Sequence, residues 1–151
     1  MTQGLYLEDI AEGQRFQAGP LTVGQDEMIR FARSYDPQYF HTDPEAAKAS
    51  MFGGLIASGW LTAALTMRML IEGGAPFADG VVGAGGELSW PRPVRPGDTL
   101  HVESEVKKIT PSCSRPGRAM VTFETKTLNQ RGEVVQMLTA HLVVFARSAG
   151  E

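Results

Sequence analysis

The sequence predicts an α+β fold in which a curved antiparallel sheet wraps round a central buried helix. Two observations carry this. Residues 59–72 read as one helix whose Trp60, Leu61, Ala63, Ala64, Leu65, Met67, Met69, Leu70 and Ile71 point in nearly every direction. A helix apolar all round must be covered. Residues 81–145 then hold four strand patterns in succession, separated by turns. Strands that follow one another without helices between them pair antiparallel and pack on the helix that precedes them.

The elements follow in order. Residues 20–23 are a short extended piece. Residues 25–33 form a helix with Asp26 and Glu27 in its first turn and arginines in its last, matching the helix dipole. Met28, Phe31 and Ala32 share one face. Residues 43–49 form a second, short helix, capped by Asp43, with Pro44 in its first turn. Ser58 caps the central helix, and Gly73-Gly74 stops it after Glu72. Residues 81–90 are extended, with glycines at 83, 85 and 86 marking bends. Residues 99–107 alternate apolar and polar, as a half-exposed strand does. Residues 119–128 are rich in β-formers, and 134–145 are apolar on both faces, as in a central strand. Arg95-Pro96-Gly97-Asp98 suits a type II turn, and Asn129-Gln130-Arg131-Gly132 a hairpin.

The chain has 151 residues, the size of one domain, expected to span 1–151. Its net charge of -3 argues against nucleic acid or anionic membrane as a general partner. Arg92, Arg95, Arg115 and Arg118 remain available to a small anionic ligand, although solvated surface positions are their default. The one cysteine, Cys113, excludes an intramolecular disulfide and a cysteine-based zinc site. His41, His101 and His141 show no paired metal-ligand spacing, and the last two fall in strand patterns. The methionines read as core filler, and Trp90 before Pro91 as closing one end of the sheet or a pocket. The N-terminus lacks a basic start and long apolar run, and no apolar stretch reaches membrane-spanning length. A reduced, cytoplasmic setting is the expectation.

Chemistry concentrates in Tyr35-Asp36-Pro37-Gln38-Tyr39-Phe40-His41-Thr42. Asp36 precedes a proline, so it is pushed out of the α region and the first helix ends there. A chain that curls at that point brings Asp36 and His41 to face one small volume. A carboxylate and an imidazole converging on one water move protons at neutral pH. Taken alone, each residue reads as a turn or loop residue more readily than as a site. Gly59, at the start of the central helix, adds a backbone N–H that a ligand oxygen can approach closely.

Three segments resemble the MaoC-like dehydratases, which include the (R)-specific enoyl-CoA hydratases. They are Phe31 through His41, with aspartate and histidine at that family's spacing; Phe52-Gly53-Gly54-Leu55-Ile56-Ala57-Ser58-Gly59-Trp60; and Pro93-Val94-Arg95-Pro96-Gly97-Asp98-Thr99-Leu100. The resemblance spans nearly the whole chain and implies a single hotdog domain. It also implies a homodimer, with the site near the subunit interface and the CoA arm along the surface. The open edges of a small sheet point the same way. The family commonly reads Asp-x-Asn-Pro-x-His; here Gln38 and Tyr39 stand at the inner positions, and Pro37 sits beside Asp36. Some members carry a serine on the central helix, for which Thr62 and Thr66 are only nearby hydroxyls.

The implied reaction adds water to a trans-2-enoyl-CoA, or removes it from an (R)-3-hydroxyacyl-CoA, without metal or redox cofactor. Asp36 and His41 share the proton transfers, and Gly59 stabilises enolate charge on the thioester oxygen. Gln38, Tyr39, Phe40, Phe52, Ser58 and Trp60 flank the pair and the helix start and are expected to contact substrate. Two alternatives stay open: an acyl-CoA thioesterase on the same fold, and a non-catalytic module that binds acyl-CoA or acyl carrier protein.

Overall fold

The computed structural model describes residues 4–147. The N-terminal reading made above begins at residues 1–3, which lie outside them. The elements are β1 (Arg15–Thr22), α1 (Gln25–Tyr35), α2 (Tyr39–Thr42), α3 (Pro44–Ala47), α4 (Gly59–Met69), β2 (Val82–Ser89), β3 (Thr99–Pro111), β4 (Arg118–Leu128) and β5 (Val134–Phe145). The strands form one sheet, ordered β1-β3-β4-β5-β2, with every neighbour antiparallel. This is the α+β, hotdog layout expected from the sequence. Hairpins join β3, β4 and β5 in the middle, and the early strands β1 and β2 add to the two edges. Register shifts in β1, β2 and β3 put one extra residue against the partner, the device by which strands bend.

Helix α4 lies on the sheet through Leu61, Leu65 and Met69, which join Leu100, Val102 and Val135 in one core cluster. Val23, Met28 and Val94 close this cluster from the side of α1 and the segment before β3. A second cluster, around Val106, Val121, Phe123 and Leu142, fills the other end of the sheet.

Two expectations need correction. The α-helix stops at Met69, not Glu72, and residues Leu70–Gly74 make one wider, π-helical turn. The Ala75 N–H reaches back to the Leu70 carbonyl at 2.8 Å, a five-residue closure at the bare backbone of Gly73-Gly74. The helix is also not covered all round. Trp60, Ala64, Met67, Arg68 and Ile71 form an exposed stripe, because the sheet covers only the opposite side. Among the described residues no helix is long and apolar enough to cross a membrane.

The predicted turns form as read, and one of them braces the site. At Arg95–Asp98 the Asp98 N–H bonds the Arg95 carbonyl at 3.0 Å, and Gly97 supplies the positive φ of 85°. Asp98 is buried and ties the turn to the β4–β5 hairpin. Its carboxylate accepts from the Arg95 N–H and from Gln130 Nε2, each at 2.9 Å. Replacing Asp98 by Ala strands both donors, so urea unfolding will show a loss of about 1–3 kcal/mol. A change within experimental error would show that this clamp contributes nothing.

Candidate active site

The site begins where α1 ends. Asp36 leaves the helical region, at φ −153° and ψ 67°, because Pro37 follows it. Its N–H still bonds the Ala32 carbonyl, and its carbonyl accepts from the Gln38 N–H at 2.8 Å, so the chain doubles back over Pro37. Gln38 then starts the single turn α2, with its carbonyl accepting from the His41 N–H at 2.9 Å and from the Thr42 hydroxyl at 3.1 Å. That turn swings His41 back toward Asp36, leaving Nε2 3.3 Å from Asp36 Oδ2.

Both partners are held from other segments. Ile56 accepts from His41 Nδ1 at 2.8 Å through its carbonyl, while its own N–H bonds the Phe40 carbonyl at 3.0 Å. A carbonyl can only accept, so Nδ1 carries a proton. In the neutral ring Nε2 is then a lone pair aimed at a carboxylate oxygen. Two acceptors at that separation need a shared proton, or a water donating to them.

Asp36 receives Gln38 Nε2 on Oδ1 and the Ser58 hydroxyl on Oδ2, each at 2.7 Å. Burial works to raise the Asp36 carboxyl, but the hydrogen bonds from Gln38 and Ser58, helped by the electrostatic pull of the neighbouring imidazole, outweigh it, holding the group below the usual carboxylate value. Asp36 therefore stays ionised well into the acid range. Because its folded value is depressed, this contribution to stability is complete above the unfolded Asp pKa of about 3.9 and is lost as pH falls through the folded value.

Ser58 and Gly59 bring the start of α4 to this pair. Ser58 is fully buried and caps the helix, its Oγ accepting from the Trp60 N–H at 3.3 Å while donating to Asp36. The next N–H, that of Gly59, has no acceptor among the described residues. Beside it lies a cavity of about 310 Å³ walled by Phe40, His41, Phe52, Ile56, Thr62 and the segment Trp90–Val94. Phe40 packs edge-on against His41 and lies next to Phe52, with ring centroids 4.6 and 5.4 Å apart.

The sequence-predicted residues thus divide. Asp36, Gln38, His41 and Ser58 meet in one hydrogen-bonded group; His41, Gly59, Phe40 and Phe52 line the cavity. Tyr39 and Trp60 stand outside its wall, 51% and 60% exposed. The sequence reads Ser58 as the helix cap and as a substrate contact. The structure puts its hydroxyl on Asp36 as well. Sequence reasoning misses the Ile56 carbonyl, which no side-chain pattern reports. The wall Pro91-Arg92-Pro93 does carry a sequence signal: paired prolines fix an extended, rigid segment. Gly59 has a second constraint besides access to its N–H. A Cβ there would lie 2.5 Å from Cε2 of the Trp90 indole.

Comparison with known proteins bears on this geometry. Residues 9–128 match the MaoC like domain. The chain belongs to the MaoC-like dehydratase family. It is 60% identical to a MaoC-like dehydratase of known structure from Rhodospirillum rubrum, with a TM-score of 0.94 over 95% of this chain and 99% of that one. An (R)-specific enoyl-CoA hydratase from the same organism is 31% identical over 94% of this chain and 93% of its own length. The unliganded (R)-hydratase of Pseudomonas aeruginosa has 25% identity and a TM-score of 0.76, over 96% of this chain and 88% of its own.

Two outcomes follow from the local geometry of this MaoC-like site. An NMR titration of the Asp36 carboxyl carbon will show its midpoint rise in Gln38→Leu and again in Ser58→Ala, since each loses a donor to the carboxylate. An unmoved midpoint in both would contradict the hydrogen-bond account. Gly59→Ala will force the Trp90 ring aside and destabilise the fold by about 1–3 kcal/mol, read by thermal or urea unfolding.

Proposed function

We propose that this protein is an enoyl-CoA hydratase, adding water to a trans-2-enoyl-CoA to give an (R)-3-hydroxyacyl-CoA, or catalysing the reverse dehydration. The observation that carries the reading is the His41–Asp36 pair at 3.3 Å beside a cavity that Gly59, the first residue of α4, also lines, its N–H having no acceptor among the described residues. Membership of the MaoC-like dehydratase family and the likeness to (R)-hydratases support the same chemistry.

In the proposed reaction a water lies to one side of the His41 Nε2–Asp36 Oδ2 pair, donating one hydrogen to each acceptor. As its oxygen bonds to C3 of the enoyl group, one proton passes to the pair. Electrons of the C2–C3 double bond shift toward the thioester, and negative charge builds on its oxygen. The Gly59 N–H, at the positive end of α4, stabilises that charge. The proton held by the pair then passes to C2. Water is consumed entirely, as hydroxyl on C3 and hydrogen on C2, and the scheme uses neither metal nor redox cofactor. Gln38 and Ser58 keep Asp36 anionic and oriented throughout.

A second copy of the chain is part of the proposal. Strand β2 is an edge strand, exposed along nearly all its length, and the stripe of Trp60, Met67 and Ile71 is open along α4 and the π-helical turn after it. Pairing β2 with its counterpart would satisfy the free edge and bring apolar surface together. Sedimentation should then give twice the mass of one chain, and Met67→Glu with Ile71→Glu should shift it toward one.

The activity test is the loss of enoyl-thioester absorbance with trans-2-enoyl-CoA substrates. Asp36→Asn and His41→Ala should each lower kcat by about 10²–10⁴-fold, the usual worth of a positioned acid–base group. An unchanged rate in Asp36→Asn would remove that residue from the mechanism. Tight binding of acyl-CoA without turnover by the unaltered protein would favour a non-catalytic module, and free thiol released from saturated acyl-CoA a thioesterase.

A further inference from the structure

The cavity has one wall that is fixed by chemistry from outside it. Trp90 Nε1 donates to Gln136 Oε1 at 2.9 Å. Gln136 Nε2 donates to Thr66 Oγ1 at 3.1 Å, and Thr66 shares a hydrogen bond with Thr127 Oγ1 at 2.6 Å. Gln136, Thr66 and Thr127 are completely or almost completely buried, on β5, α4 and β4. The indole itself is partly open, at 39% exposure, and lies against the bare Cα side of Gly59. Trp60 meets it edge-on, with ring centroids 5.2 Å apart.

This arrangement is more specific than packing requires. Apolar residues at 66, 127 and 136 would fill the same space without a satisfied polar chain. A buried amide with both ends bonded, by contrast, holds its partners in one geometry, since any other leaves polar atoms unpaired. What this chain fixes, at its open end, is one rotamer of the Trp90 ring. That ring bounds a cavity near the lower end of the ~300–1,000 Å³ usual for ligand pockets. Behind the ring lie hydroxyls and an amide, a poor surface for an alkyl tail.

We infer that Trp90 is the specificity-determining wall of the acyl site, limiting the bulk of the acyl group, and that Gln136 is the residue that positions it. The inference rests on the acyl-thioester reading and deepens it: the substrate class is short-chain acyl-CoA. Gln136 touches no substrate and acts only through the indole. Trp90→Ala enlarges the site beside Gly59, whereas Trp90→Phe keeps a ring and loses its tether. Gln136→Leu keeps the indole and frees it.

The experiment compares kcat/KM for trans-2-enoyl-CoAs with linear C4, C6, C8 and C10 chains, alongside calorimetric binding of the saturated acyl-CoAs of the same lengths. The unaltered protein should prefer the shorter chains. In Trp90→Ala the C8-to-C4 ratio should rise at least about tenfold, the scale on which apolar pockets discriminate by size. Gln136→Leu should move the ratio the same way by a smaller factor. In a Trp90→Phe background the Gln136→Leu change should have no further effect on the ratio, because the bond it acts through is already gone. A structural role alone would lower all chain lengths in parallel and leave the ratio fixed, and that result would overturn the inference. If Trp90→Ala does not fold, Trp90→Leu carries the same comparison. Should the unaltered protein turn over none of the enoyl-CoAs, the hydratase reading fails, while the binding series still decides whether Trp90 sets acyl size.

Discussion

One carboxylate holds three segments of this chain together. Asp36 stands at the end of α1 and accepts from Gln38 two residues on and from Ser58, the cap of α4, with His41 of α2 against the same oxygen. Each of these donors has a backbone task as well. Gln38 starts α2 and Ser58 caps α4. The charge on Asp36 therefore does more than sit in a pocket. It fixes where the imidazole stands relative to the first N–H of the central helix, and that relation is what a hydration site needs. A carboxylate with so many partners is expensive to bury only if one is missing.

The cavity depends on a second constraint, the contact between Gly59 and Trp90. Removing the side chain at 59 lets the indole lie on the helix start, and the buried amide of Gln136 then keeps it there. The same glycine serves two ends: it lines the cavity with an N–H that has no acceptor among the described residues, and its missing Cβ admits the wall. The β4–β5 hairpin reaches the site from the other side, through Asp98 and Gln130 to the turn that follows Val94. Distant strands in this sheet thus set the dimensions of a site built on loops and a helix end.

Much of this was legible in the sequence because local rules applied without competition. Pro37 forced Asp36 out of the helix, Asp43 and Ser58 capped where side-chain oxygens must, and Gly97 and Gly132 took positive φ at the turns. The alternation in residues 99–107 and the apolar run of 134–145 gave the strands. What was not legible depends on contacts far apart in the chain. Ser58 meeting Asp36 across 22 residues, and Trp90 meeting Gln136 across 46, leave no periodicity behind. The exposed stripe of α4 misled for a related reason: an all-apolar helix says that both sides want cover, not that one chain supplies it. Gln38 departs from the usual family asparagine, and in the structure its longer amide grips Asp36 Oδ1 at 2.7 Å.

The central claim is that one pair, Asp36 with His41, both takes the proton from water and delivers a proton to C2, from one face of the substrate. Hydration in D₂O tests it directly, with the relative configuration at C2 and C3 of the product read by NMR. A single pair on one face predicts syn addition, deuterium and hydroxyl entering from the same side. Anti addition would require a proton donor across the cavity and would contradict the account.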